Sequence, residues 1–112
     1  MNIAKAEAKK LISAHTGKEP TEKEINELHA MAIELCPSLD SHPYRLAAVM
    51  SLLDGIGERK FIVSRIPKYI RTGEISTAAH AFLEWCFVKG QHVPEIERRR
   101  RAEMNLFLTD EQ

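Results

Sequence analysis

The stretch "EISTAAHAFLEWCFVK", residues 74–89, decides how the fold of this chain is read. Successive helical residues are separated by roughly 100°. On that spacing Ala78, Phe82, Leu83, Trp85, Cys86, Phe87 and Val88 surround nearly the whole circumference, and Thr77, His80 and Glu84 form a polar strip. A helix apolar on almost every side must be covered on almost every side. The stretch therefore predicts an all-α fold: a compact bundle of five or six short helices around a central apolar helix at about 74–89, closed by Gly90.

The flanking sequence supplies the other helices. Residues 2–15 place Ile3, Ala4, Ala8, Leu11 and Ala14 on one side, with Gly17 as the C-cap. "PTEKEINELHAMAIELCP" carries Thr21 and Glu24 at capping-box spacing, a stripe of Ile25, Leu28, Ala32, Leu35 and Cys36, and a stop at Pro37. A third helix is expected from Ser41 to Asp54, with Leu46, Val49, Met50 and Leu53 inward. After the Gly55–Gly57 turn, Glu58 to Ile66 reads as a short helix that Pro67 breaks or restarts. The last helix starts at Pro94 and ends near Leu108.

With 112 residues, the chain is read as a single helical domain, 1–112. Its 16 basic and 16 acidic side chains cancel, unlike the strongly basic balance of a general nucleic-acid binder. The charge is uneven: residues 1–57 are net acidic, 58–101 net basic, and the tail with Glu103, Asp110 and Glu111 acidic. The N-terminus lacks the apolar run of a signal peptide, and no stretch reaches the ~18 apolar residues of a membrane span. Two cysteines, Cys36 and Cys86, read as reduced, buried thiols. The expectation is a cytoplasmic protein that does not enter a membrane.

Arg98, Arg99, Arg100 and Arg101 are consecutive, so on a helix they point in different directions. Glu95–Arg99, Glu97–Arg101 and Arg99–Glu103 have i,i+4 spacing, which predicts a salt-laced surface helix. Arg100 differs. It shares a face with Ile96, Met104 and Phe107, so its stem is expected along the core, with its head either reaching water or paired internally.

Three functional readings follow. The first is a non-catalytic helical module that binds another protein as an adaptor, inhibitor or assembly factor; the chain is then not an enzyme, and homodimerisation is possible. Its candidate contact residues are Arg59, Lys60, Arg65, Lys68, Tyr69 and Arg71, since Tyr and Arg are frequent interface anchors. The second is a DNA- or RNA-binding regulator using the basic 58–71 segment and Arg98–Arg101. In it, Ala47–Asp54 and Glu58–Ile66 form an imperfect helix-turn-helix, because Asp54 and Ser64 fall where apolar residues are wanted. The third is a small enzyme with a His80/Glu84 site and Thr77 nearby.

The metal-ligand types are His15, His29, Cys36, His42, His80, Cys86 and His92, without a Cys-x-x-Cys or His-x-x-x-His pair. The six-residue spacings of His80–Cys86 and Cys86–His92 separate neighbours on a helix. Neither a metal nor another cofactor is expected. His80 and Glu84 share a face at i,i+4, which predicts a histidine hydrogen-bonded to a carboxylate.

Overall fold

A computed structural model describes residues 2–109. Asp110 and Glu111 of the acidic tail lie outside the described residues. Seven α-helices are present among them: α1 (Ile3–Thr16), α2 (Glu22–Leu35), α3 (Pro43–Ile56), α4 (Glu58–Val63), α5 (Ile66–Arg71), α6 (Ile75–Ala81) and α7 (Pro94–Thr109). Short 3₁₀ turns occupy Pro37–Ser41 and Phe82–Trp85, and a two-stranded hairpin pairs β1 (Phe87–Val88) with β2 (Gln91–His92). The fold is all-α and compact, as the periodicity predicts.

The local signals act where they were read. Gly17 caps α1 in the left-handed conformation (φ 73°), and its N–H donates to the Ser13 carbonyl. At the start of α2 the Thr21 hydroxyl accepts from the Glu24 N–H, and the Glu24 carboxylate accepts from the Thr21 N–H. Ser41 does not cap α3: it belongs to the 3₁₀ turn, and the helix begins at Pro43.

The central helix is α3, not 74–89. Every residue from Arg45 to Leu53 is buried, and α3 packs most extensively against α1 and α7. Ala47, Ala48 and Ser51 are small enough to let those neighbours approach closely. The 74–89 stretch breaks into three pieces instead. Helix α6 ends at Ala81, the backbone tightens through Phe82–Trp85, and the chain then reverses. Lys89 (φ 52°) and Gly90 (φ 79°) both take positive φ, as a two-residue hairpin turn requires. The Val93 N–H donates to the Cys86 carbonyl and closes the hairpin's base. Phe87 and Val88, which looked like part of an apolar circumference, are β-formers exposed on this hairpin.

Phe82 remains fully buried and meets Phe107 of α7 with ring centroids 5.4 Å apart. Trp85 is only partly buried. The Glu58–Ile66 helix stops at Val63, and α5 restarts with Pro67 in its first turn, where a missing N–H costs nothing. A recognition helix over 58–66 is therefore interrupted.

Candidate functional site

The turn between α5 and α6 builds the first polar site. Gly73 takes φ 81°, and the Glu74 N–H donates back to the Tyr69 carbonyl at 2.8 Å. The Thr72 hydroxyl lies 2.7 Å from Glu74 Oε2. This turn sets α5 beside α6 and opens a groove of about 380 Å³ lined by Tyr69, Ser76, Thr77, His80, Ala81 and Glu84. The polar strip at Thr77, His80 and Glu84 thus survives the break in the helix and joins Tyr69, a residue expected at a partner surface.

His80 is not hydrogen-bonded to Glu84 as expected. Its Nδ1 donates to the Ser76 carbonyl at 2.8 Å. A carbonyl can only accept, so Nδ1 carries a proton, and in the neutral ring Nε2 offers its lone pair to another group. The groove thereby combines three hydroxyls (Tyr69, Ser76 and Thr77), an imidazole, a carboxylate and an aromatic ring. Such a set can both donate and accept hydrogen bonds.

A second polar cluster lies inside the protein, where α7 crosses α3. Ser51 Oγ donates to Glu103 Oε2 at 2.5 Å. Arg99 Nη2 donates to the Ser51 carbonyl at 2.8 Å and to Asp54 Oδ2 at 2.9 Å, while its Nε reaches Glu103 Oε2 at 3.2 Å. Arg100 Nη1 donates to Glu103 Oε1 at 2.7 Å. Burial pushes the Glu103 carboxyl up; Arg100, Ser51 and Arg99 oppose that rise. Burial likewise lowers the Arg100 guanidinium, against the pull of Glu103.

The internally paired reading of Arg100 holds, and the surface reading of Arg99 does not. Arg99 is buried, with Asp54, Ser51 and Glu103 as partners in place of Glu95. Arg101 pairs with Glu97 at 2.7 Å as its spacing predicts. The Arg99–Glu103 spacing predicts one pair of this cluster, and the structure shows it. Sequence reasoning missed Ser51 and Asp54, which carry no spacing signal toward Arg99 because they lie on α3.

The other expected contact residues are exposed, but they sit on several elements. Arg59 and Lys60 lie on α4, Arg65 precedes α5, Lys68 and Arg71 lie on α5, and Arg98 and Arg101 lie on α7. Tyr69 is half-buried and lines the groove. Cys36 and Cys86 are both buried free thiols. Burial pushes the Cys36 thiol up to about 11, with Arg71 acting weakly in the opposite sense.

The hairpin produces a third cluster. Ligand-type atoms of Cys86, His92 and Glu97 all lie within 4.8 Å of one another. The expectation that the Cys86–His92 spacing keeps its members apart assumed a continuous helix. The chain reversal at Lys89–Gly90 removes that assumption. Hydrogen bonds from Arg101 and then His92 hold the Glu97 carboxyl below the usual carboxylate range, so it is ionised near neutral pH.

Residues 1–103 match the phage lysozyme family. The chain belongs to that family. Neither a curated protein nor a solved structure gave a match. The family overturns the reading of a non-catalytic protein-binding module, the nucleic-acid reading beside it and the assignment as not an enzyme, and it points instead to a glycosidase. Neutral net charge and the lack of a short catalytic motif had favoured the binding module. Neither bears on glycoside cleavage, which needs no such motif. It needs a carboxylic acid placed at the scissile bond, commonly with a second carboxylate nearby.

Glu103 has the raised carboxyl expected of a glycosidase acid. Its side chain is nevertheless fully enclosed and committed to Ser51, Arg99 and Arg100, so it is structural. Glu84 is the carboxyl among the residues lining the α5–α6 groove. No helix among the described residues is long and apolar enough to cross a membrane.

Proposed function

We propose that this chain serves the hydrolysis of the glycan strands of bacterial peptidoglycan, with the α5–α6 groove holding the saccharide. The match to the phage lysozyme family over residues 1–103 carries the reading. The groove supports it through its lining: Tyr69 offers a ring for a sugar face, and Ser76, Thr77, His80 and Glu84 offer hydrogen bonds to its hydroxyls. In a lysozyme reaction an acid protonates the departing glycosidic oxygen, and water completes the cleavage. Glu84, the carboxyl of that groove, is the residue assigned to the acid's place. The two free thiols, Cys36 and Cys86, fit synthesis and storage in a reducing cytoplasm before the enzyme meets its substrate.

The test is to incubate the purified chain with insoluble peptidoglycan and measure both co-sedimentation and new reducing ends. The wild type should sediment with the polymer and release reducing ends. Glu84→Gln, which removes the exchangeable proton and keeps the shape, should lower hydrolysis at least ~100-fold while leaving co-sedimentation intact. Equal losses of both would make Glu84 a binding group only. A wild-type chain that neither binds nor cleaves the polymer would overturn the reading.

A further inference from the structure

We propose that Cys86, His92 and Glu97 form a divalent metal site of the zinc class, which ties the hairpin to the first turn of α7. The three ligand-type atoms already lie within 4.8 Å of one another. They come from three places in the chain: Cys86 just before β1, His92 on β2 and Glu97 in the first turn of α7. The hairpin turn at Lys89–Gly90 and the Val93-to-Cys86 backbone bond fix the first two relative to each other. His92 and Glu97 are in direct contact through Nε2 and Oε1.

Thiolate, imidazole and carboxylate together suit zinc or cobalt(II), and three protein ligands leave a fourth tetrahedral position for water. One thiolate and one carboxylate also cancel the charge of a divalent ion. Arg101 supports the site from outside: its Nε donates to Glu97 Oε2 at 2.7 Å, leaving Oε1 for the metal and fixing the carboxylate plane.

The binding step balances as follows. The Cys86 S–H bond breaks and its proton goes to water, which also ends the 3.0 Å contact of Sγ with the Leu83 carbonyl. In the metal-free protein a neutral His92 ring can direct an Nε2–H at Glu97 Oε1. On binding, that proton moves to Nδ1 by exchange with water, and Nε2 and Oε1 turn their lone pairs to the metal. Three bonds to the metal form, one proton is released overall, and no electron is transferred.

The experiment is a cobalt(II) titration of the full chain, reduced and stripped with a chelator. One equivalent should produce a thiolate-to-cobalt charge-transfer band and the intense visible bands of a tetrahedral site, and zinc should displace both. Cys36→Ser should leave the titration unchanged. Cys86→Ser should remove the charge-transfer band. His92→Ala and Glu97→Gln alter groups that are not buried, and each should weaken binding at least ~10-fold with unchanged helix content by circular dichroism. Absence of the band in the wild type would overturn the proposal. So would a band of undiminished affinity in both His92→Ala and Glu97→Gln, since that would be a lone thiolate capturing the ion.

Discussion

Arg100 and Glu103 meet inside the protein at 2.7 Å, with 3% of one side chain and none of the other exposed. Taking both charges out of water is expensive, and what offsets it is the full set of partners around Glu103. Breaking such a pair from one side leaves a charge stranded. Arg100→Met keeps the stem and removes the charge, so it should cost about 3–5 kcal/mol in urea denaturation, much as Arg100→Ala should. A near-neutral Met variant would mean that the stem, not the ion pair, is what matters.

The four consecutive arginines should separate into two classes. Arg99→Ala removes bonds to Ser51, Asp54 and Glu103 and should cost about 3 kcal/mol. Arg98→Ala and Arg101→Ala change exposed groups and should each stay within about 0.5 kcal/mol. Thermal melts of the three variants at one pH decide the matter. Equal small shifts would contradict the buried position of Arg99.

Gly55 lies in α3 where a Cβ would collide with the Arg100 guanidinium. That guanidinium is held by Glu103 and has little freedom to retreat. Alanine at this position improves helix propensity by about 1 kcal/mol, yet Gly55→Ala should be destabilising by roughly 1–3 kcal/mol. The penalty should shrink in an Arg100→Met background, and a double-mutant cycle measures this coupling. Independent, additive effects would show that the two residues do not press on each other.

Acid should weaken the fold before the Glu24 and Glu97 carboxylates titrate. Partial burial, followed by Arg99, Arg98 and Arg100, holds the His15 imidazole below its ordinary value of 6.5. Burial and Lys5 lower His29 in the same way, with Asp40 opposing. Both therefore favour the neutral ring in the fold. Their contribution is fully present above the unfolded value of 6.5 and is lost as pH falls through the folded values. The melting temperature should begin to drop below about pH 6.5, and His15→Gln with His29→Gln should flatten that limb. Glu24 and Glu97 also have lowered values, so their loss belongs to a separate, more acidic window.

The helical class, the capping box at Thr21 and Glu24, and the Gly17 cap were legible because each is a local agreement between neighbouring side chains and backbone. The central helix was not. Residues 74–89 and α3 are both rich in apolar groups, and periodicity alone does not reveal that Lys89–Gly90 reverses the chain. Arg100 could be read from its apolar stripe, but Arg99 could not, because its partners Ser51 and Asp54 lie on α3, which the sequence does not place beside α7. The groove was half legible. Thr77, His80 and Glu84 are a spacing pattern, whereas Tyr69 joins them only through the α5–α6 turn. The Cys86, His92 and Glu97 cluster was hidden by the same missed reversal.

The crossing of α7 over α3 also sets an order of events during synthesis. Ser51 waits for Arg99 and Glu103, which follow it by 48 and 52 residues. Until that later stretch leaves the ribosome, α3 is a nearly all-apolar rod without its charged clasp and with one flank bare. A nascent chain stalled in that interval is the species most prone to aggregate, and the one a holding chaperone would meet. The clasp thus works as a completion check: a chain cut short of α7 leaves one flank of α3 uncovered, although α1 and α2 still pack on it.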